Sequence, residues 1–191
     1  SSHLEPQGCL GDLGWYTIRF ALWTMNYQMP IRVTGRLLDE AKRPDSPTTV
    51  PLEFSAEMLF RDGVSASFYN SFQTENQQWA HLSGTKGFIH VPDFVLPFFG
   101  SEVAFTVSQA AFHQSGCDFN MEDHTRREAV REYSNSEANA QETNLFRTFN
   151  HLVLSGRVDP HWGDIALKTQ IVLDACLESA RDGNKPVEIA G

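Results

Sequence analysis

The sequence predicts an α+β fold, in which helices pack on one face of an open, mostly antiparallel β-sheet. Three observations support this class. A breaker-free apolar segment covers residues 15–25, apolar residues then alternate with polar ones over a long central region, and two helical segments follow near the end. Short turns join the alternating segments, which is typical of antiparallel pairing.

The first helix is predicted from Trp15 to Met25, with Asp12 as its N-cap. A carboxylate at the N-cap accepts hydrogen bonds from the unpaired amides of the first turn. Pro30 ends this unit, residues 31–34 alternate as a strand, and a loop rich in proline leads to residue 51.

The central region predicts successive hairpins. One strand buries every second residue on one face, and its members are Leu52, Phe54, Ala56, Met58 and Phe60. An Asp-Gly turn at residues 61–63 leads into a return strand that carries Val64, Ala66, Phe68 and Phe72. A second hairpin joins residues 79–83 to 88–91, and a further strand covers residues 102–109.

The last third of the chain predicts a polar segment, two helices and a short strand. Residues 114–139 are mixed in charge, which favours a solvated loop or short surface helix. Helices are predicted from Glu142 to Leu154 and from Asp159-Pro160 to residues 182–184, the second starting with an N-cap and a proline. One face of that helix carries Ile165, Thr169, Val172, Cys176 and Ala180, and residues 186–189 predict the closing strand.

Composition limits the classes of function. The 191 residues fit one domain, or at most one and a half, and a 41% hydrophobic share is enough for a core. A net charge of −9 argues against binding nucleic acid or anionic membrane surfaces. Three widely spaced cysteines, no long apolar run and no signal sequence predict a soluble cytoplasmic domain, excised from a longer protein.

Several site types have weak or no support. The chain contains no Gly-x-Gly-x-x-Gly, so we expect no dinucleotide cradle in it. Residues 83–87 superficially resemble a phosphate loop, but a hairpin turn is favoured because they lie between two strands. His113, Cys117 and His124 could be imagined as metal ligands, but an ordinary polar loop is favoured, and we expect no metal.

One stripe of the first helix is chemically suggestive. Asp12, Tyr16, Arg19 and Trp23 recur at spacings of four, three and four, so they share a face. A phenol has an ordinary pKa of ~10 and needs a nearby cation to exchange protons near neutrality. The alternative is a capping Asp, a half-buried Tyr and a surface Arg.

The segment Gly8-x-x-x-Asp12-x-Gly14-x-Tyr16 resembles the start of the C-terminal domain of the glucose–fructose oxidoreductase / inositol dehydrogenase (Gfo/Idh/MocA) family. Residues 83–92 are similar to that family's hairpin, residues 165–180 to its penultimate helix, and residues 186–189 to its closing strand. The resemblance extends over nearly the whole chain.

This resemblance implies a two-domain oxidoreductase that uses NAD or NADP and acts on sugars, cyclitols or related alcohols. A Rossmann domain outside this chain would hold the cofactor, so residues 1–191 would be the substrate and oligomerisation domain, inactive alone. Asp12 matches the active-site Asp. Tyr16 stands where many members have His, which resembles the subgroup of glucose–fructose oxidoreductase and dimeric dihydrodiol dehydrogenase, where a Tyr is the acid/base. Arg19 departs from the usual residue and is a candidate substrate contact.

A non-enzymatic alternative is a sheet-based binding or oligomerisation module. An open sheet with helices on one face leaves the other face available for a partner. We therefore expect a homo-oligomer formed through the sheet, with Phe54, Met58, Phe68 and Phe72 as candidate interface residues, and the alternation leaves open which of the two faces they occupy.

Overall fold

The computed structural model describes residues 1–95, 102–131 and 138–189. Its elements are α1 (Gly8–Asp12), α2 (Gly14–Thr24), β1 (Arg32–Ala41), β2 (Val50–Leu59), β3 (Ser65–Ser71), β4 (Ala80–Gly84), β5 (Gly87–Val91), β6 (Glu102–Ser115), β7 (Asp118–Arg131), α3 (Gln141–Ser155), α4 (Pro160–Arg181) and β8 (Val187–Glu188). The α+β class is confirmed, but the strands form two open sheets rather than one, in the orders β3-β2-β1-β8 and β4-β5-β6-β7. Each sheet belongs to a separate compact unit, one of residues 1–75 with 159–191 and one of residues 76–158.

The first unit contains the main hydrophobic core. Its sheet is antiparallel, and α1, α2 and α4 pack against it. The predicted alternation in β2 is confirmed, since Phe54, Ala56 and Met58 are buried, as is Phe60 just after the strand. The core also takes Ile18 and Leu22 from α2 and the inner face of α4.

Helix α4 lies very close to β1 at one glycine. A Cβ on Gly35 would lie 2.0 Å from the Cys176 carbonyl oxygen, which no side chain can accommodate. The Gly35 amide donates to Ser179 Oγ (2.9 Å), and that hydroxyl donates to the Lys185 carbonyl (2.6 Å). These contacts fix the height of α4 above the sheet.

The local signals for the β2–β3 turn and for the start of α4 are confirmed. Asp62 (φ 61°) and Gly63 (φ 75°) form the turn between β2 and β3. The Asp159 carboxylate caps α4 by accepting from the His161 amide (3.0 Å), with Pro160 in the first turn. Gly156 ends α3 in the left-handed conformation (φ 63°).

The second unit differs from the sequence prediction in one strand. The β4–β5 hairpin is confirmed at residues 80–91, but β6 continues to Ser115 and pairs with β7 over its full length. The expected loop or surface helix is therefore wrong for residues 118–131. Every side chain of β7 is exposed, so its sequence has no apolar alternation to mark it as a strand. Residues 132–137 of that expectation lie outside the described residues.

The expected interface residues are mostly not available to a partner. Phe54 and Met58 are buried under the helices, and Phe68 is partly buried against the same core. Only Phe72 is half exposed, at 48%. The prediction of an interface is therefore wrong for Phe54 and Met58, because they lie on the face of the sheet that the helices cover.

The three cysteines are all thiols. Cys9 and Cys176 are buried in the first unit, and Cys117 is exposed at the β6–β7 turn. Among the described residues, no helix is both long and apolar enough to cross a membrane.

Candidate functional site

The glycines of the Gly8–Tyr16 segment bring α1 and α2 close to the sheet. Gly8 has a positive φ of 55°, and a Cβ there would lie 2.1 Å from the Pro51 carbonyl oxygen. A Cβ on Gly14 would lie 3.0 Å from Leu10 Cδ1 and 3.4 Å from Asn70 Oδ1. Gly8 therefore needs glycine, because the Pro51 backbone occupies the space of a side chain, whereas at Gly14 a Cβ would require only a small shift of the Leu10 side chain.

Asp12 does not cap the helix that follows it. Leu13 occupies the N-cap position of α2 with helical backbone angles (φ −91°, ψ −36°), and no side chain caps this end. The Leu13 amide bonds to the Cys9 carbonyl (3.0 Å), and the Tyr16 amide bonds to the Leu13 carbonyl (3.1 Å). The predicted cap is wrong because the chain passes from α1 to α2 without leaving the helical region. The exposed Asp12 carboxylate has no role in capping α2.

The two faces of α2 are sharply different. Gly14, Ile18 and Leu22 are buried, whereas Tyr16 is 49% and Trp23 60% exposed. Asp12, the last residue of α1, is also exposed. No hydrogen bond joins the Asp12 carboxylate to the Tyr16 hydroxyl within the described part of the chain.

Arg19 lies at the edge of this exposed face and is partly buried. Its Nε donates to Thr169 Oγ1 on α4 (2.7 Å), and its guanidinium carbon lies 5.4 Å from the centre of the Trp15 ring. Burial lowers the pKa of Arg19, and a smaller Coulombic interaction with Tyr27 raises it. Thr169 is fully buried and donates to the Ile165 carbonyl (2.8 Å), so it is a fixed anchor. Arg19 is therefore a partly buried residue rather than a fully exposed surface Arg.

Tyr27 interacts electrostatically with Arg19. It follows α2 with a positive φ of 57°, which is unusual for an aromatic residue, and its amide bonds to the Leu22 carbonyl (2.6 Å). Its ring meets His161 edge-on at 5.7 Å between centroids. We call Trp15, Arg19, Tyr27 and Thr169 the Arg19 cluster. The sequence placed Thr169 on the core face of α4, but no local signal joins it to a residue 150 positions away.

The other candidate sites do not assemble. No group of three or more His, Cys, Asp or Glu side chains is placed to hold a metal ion in residues 1–95, 102–131 and 138–189. A cavity of about 450 Å³ adjoins the β4–β5 turn, and one of about 310 Å³ lies near Arg32 and Glu57. Neither of these two cavities is lined by Asp12, Tyr16 or Arg19.

Comparison with known proteins gives a family match over slightly less than half of the chain. Residues 2–90 match the family model of the GFO/IDH/MocA C-terminal domain. This range contains Asp12, Tyr16, Arg19 and the β4–β5 hairpin, so the resemblance seen in the sequence is confirmed over this part.

Solved structures share the fold over the whole chain. The aldose-aldose oxidoreductase of Caulobacter crescentus, complexed with glycerol, is 22% identical over 99% of this chain, with a TM-score of 0.67. GenD2 from gentamicin A biosynthesis, complexed with NAD, is 20% identical over 100% of this chain (TM-score 0.68). The myo-inositol 2-dehydrogenase of Lactobacillus plantarum is 18% identical over 97% of it (TM-score 0.59). In each case the chain spans 50% of the length of the other protein.

Proposed function

We propose that this chain is the C-terminal, substrate-side domain of a cytoplasmic NAD(P)-dependent oxidoreductase of the Gfo/Idh/MocA family, with Tyr16 as its acid/base. The observation that carries the proposal is a pair of exposed side chains, Asp12 at the end of α1 and Tyr16 in the first turn of α2, inside the range that matches the family model. The substrate is a sugar-, cyclitol- or dihydrodiol-like alcohol or carbonyl compound. The names of the similar structures support this class, since they include an aldose oxidoreductase and an inositol dehydrogenase.

The residues of this chain supply proton transfer and orientation. In the oxidation direction the Tyr16 phenolate accepts the proton of the substrate hydroxyl, and in reduction the phenol returns it to the oxygen. Asp12 accepts a hydrogen bond from the substrate or from Tyr16 and so orients the reacting group. The buried residues of α1 and of α2 both belong to the main core, so Asp12 and Tyr16 stand on rigid supports.

The chain does not fit a complete dinucleotide site. The pairs between its described strands are antiparallel, and its sequence has no Gly-x-Gly-x-x-Gly loop to cradle a pyrophosphate. When bound, the nicotinamide supplies or takes the hydride, and we assign its binding mainly to a domain outside this chain. Tyr16 is half exposed, which agrees with an active site that excludes water only when another domain or the substrate covers it.

The experiment that tests this proposal replaces Tyr16 by Phe in the complete protein. General acid–base catalysis contributes ~10²–10⁴-fold, so kcat should fall within that range. Tyr16 has no hydrogen-bonded hydroxyl in the described part of the chain, so stability should change by less than ~0.5 kcal/mol. Tyr16→His should restore part of the activity, because an imidazole can carry the same proton.

Tyr69 provides a matched control. It is 47% exposed, close to the 49% of Tyr16, but it lies on β3 and donates to Glu53 (2.9 Å). Tyr69→Phe removes the same hydroxyl and should leave kcat unchanged. Equal kcat values for the wild type and Tyr16→Phe would contradict the assignment of Tyr16 as the acid/base. If the Tyr16→Phe protein instead has a much lower melting temperature and its folded fraction has a normal kcat, the role of Tyr16 is structural.

A homo-oligomer formed through the second sheet is favoured by a specific observation. Phe112, Phe119 and Met121 lie on one face of the β6–β7 ribbon, and each is more than 60% exposed. The Phe112 and Phe119 rings stack at 5.9 Å between centroids, so the three side chains form a contiguous apolar patch, typical of an interface. The non-catalytic alternative, a pure oligomerisation module, would use the same patch.

Light scattering of the ribbon variants tests the oligomer. Phe112→Ser combined with Phe119→Ser should produce a monomer at concentrations where the wild type is a dimer or larger. Val130→Ser is the control, because Val130 is 65% exposed on β7 but lies on the opposite face from Phe119. A wild-type protein that remains monomeric at high concentration would contradict the proposed homo-oligomer.

A further inference from the structure

Arg19 differs from every other arginine of the chain. It is partly buried, whereas the other ten are exposed to solvent. Arg43 and Arg126, for example, each form an ion pair with a carboxylate, but Arg19 forms none within the described part of the chain. A cation that has lost part of its hydration without gaining a counter-charge is costly unless another group binds it. The protein has a net charge of −9, yet no carboxylate of the described residues pairs with Arg19.

The Arg19 cluster holds this side chain in place. The Nε–Thr169 hydrogen bond and the contact with Trp15 fix the plane of the guanidinium, so little side-chain freedom remains to be lost on binding. The two terminal Nη groups make no hydrogen bond to the described residues. Paired N–H donors in a fixed plane match the oxygens of a carboxylate or phosphate.

The position of Arg19 connects it with the candidate acid/base. Tyr16 and Arg19 are three residues apart on α2, a spacing that brings Cβ atoms to within ~5–6 Å. A ligand that spans both side chains would present one oxygen to the Tyr16 hydroxyl and a charged group, a few atoms away, to the Nη groups of Arg19. Neutral sugars or polyols would leave this cation unmatched.

We infer that Arg19 binds an anionic substituent of the substrate, a carboxylate or a phosphate, while the reacting hydroxyl or carbonyl faces Tyr16. The inference rests on the proposed function and narrows its substrate class to acidic sugars and polyols. Trp15 and Thr169 act through Arg19 as positioning residues. Tyr27, which interacts electrostatically with Arg19 and is held in an unusual backbone conformation, belongs to the same arrangement.

The test uses pairs of compounds that differ only in the acidic group, supplied to the complete protein with NAD and NADP. Glucuronate against glucose tests the carboxylate, and inositol phosphate against inositol tests the phosphate. Turnover gives kcat/KM, and calorimetry gives the dissociation constant of each compound, so the result does not depend on turnover alone. The acidic member should be preferred by about 10- to 100-fold, the scale of one charge-assisted pair.

Three variants separate charge recognition from structure. Arg19→Met keeps an unbranched apolar side chain against Trp15 but removes the donors, so the preference should fall to about one. Arg19→Lys keeps the charge without the planar fork and should retain part of the preference. Arg61→Met removes the same charge from the exposed β2–β3 turn and should change nothing. If Arg19→Met does not fold, the wild-type preference and Arg19→Lys still decide the question.

The outcomes distinguish this inference from the proposed function. A wild type that treats acidic and neutral members alike overturns the inference, as does a preference that persists in Arg19→Met. If neutral sugars are turned over through Tyr16 without any acid preference, the inference fails and the proposed function stands. If acidic compounds bind through Arg19 but Tyr16→Phe leaves kcat unchanged, the assignment of Tyr16 fails instead.

Discussion

Replacing Gly35 by Ala is expected to destabilise the fold, because β1 and α4 meet at this residue. The added Cβ would lie 2.0 Å from the Cys176 carbonyl oxygen, about 1 Å inside the 3.0 Å approach that real Cβ atoms respect. The obstacle is backbone rather than a flexible side chain, so the helix or the strand must move. Overpacking of this kind costs ~1–3 kcal/mol, which corresponds to a fall of roughly 2–12 °C in the melting temperature of a protein this size.

Gly163→Ala is the matched control for this prediction. Gly163 lies in α4, and a Cβ placed on it would have nothing within 4 Å. The same methyl group should therefore stabilise the helix by ~0.5–1 kcal/mol. Both variants are measured by urea unfolding and thermal melting of this chain. A Gly35→Ala protein that melts within 1 °C of the wild type would refute the close approach of α4 to β1. If Gly163→Ala is equally destabilising, the loss of stability in Gly35→Ala cannot be assigned to the contact between β1 and α4.

Three further predictions concern Asp12, the buried thiols and the binding of NADH. Asp12→Asn should lower kcat of the complete protein but leave the melting temperature of this chain unchanged, because Asp12 does not cap α2. Burial raises the pKa of the Cys9 and Cys176 thiols to about 12, whereas unfolded thiols ionise near pH ~8.5. The unfolded state therefore loses these protons first, so the urea midpoint should fall as the pH rises above ~8.5, and only Cys117 should be alkylated rapidly in the native state. Calorimetry should detect no micromolar affinity of this chain alone for NADH, and a micromolar dissociation constant would contradict the assignment of the cofactor site to another domain.

Helix α4 shows which features the sequence could predict. Its start, its end and its buried face were all correct, because an N-cap Asp, a first-turn Pro and an apolar stripe are local signals. The turn at Asp62-Gly63 was predictable for the same reason, since two positive φ angles favour those residue types. Such features depend on a few neighbouring residues and hardly on the rest of the fold.

Strand β7 and the Arg19 cluster show where the sequence was insufficient. The strand is paired by its backbone to β6 while its side chains are exposed on both faces, so its polar sequence looks like a loop. Asp12 is of a residue type that commonly caps helices, but Leu13 keeps helical backbone angles and occupies the N-cap position itself. The residue type alone therefore predicted a cap that does not form. The bond between Arg19 and Thr169 depends on the packing of α2 on α4, which no local pattern encodes.

The two unlike faces of α2 have a consequence for how this domain can change over evolutionary time. Substitutions at Gly14, Ile18 or Leu22 disturb the packed interior, whereas Asp12, Tyr16 and Trp23 are exposed and carry little of the folding free energy. Random libraries at the exposed positions should therefore yield mostly folded proteins, and libraries at the buried positions mostly unfolded ones. New substrate preferences can thus arise on this helix one residue at a time, without a stabilising mutation having to come first.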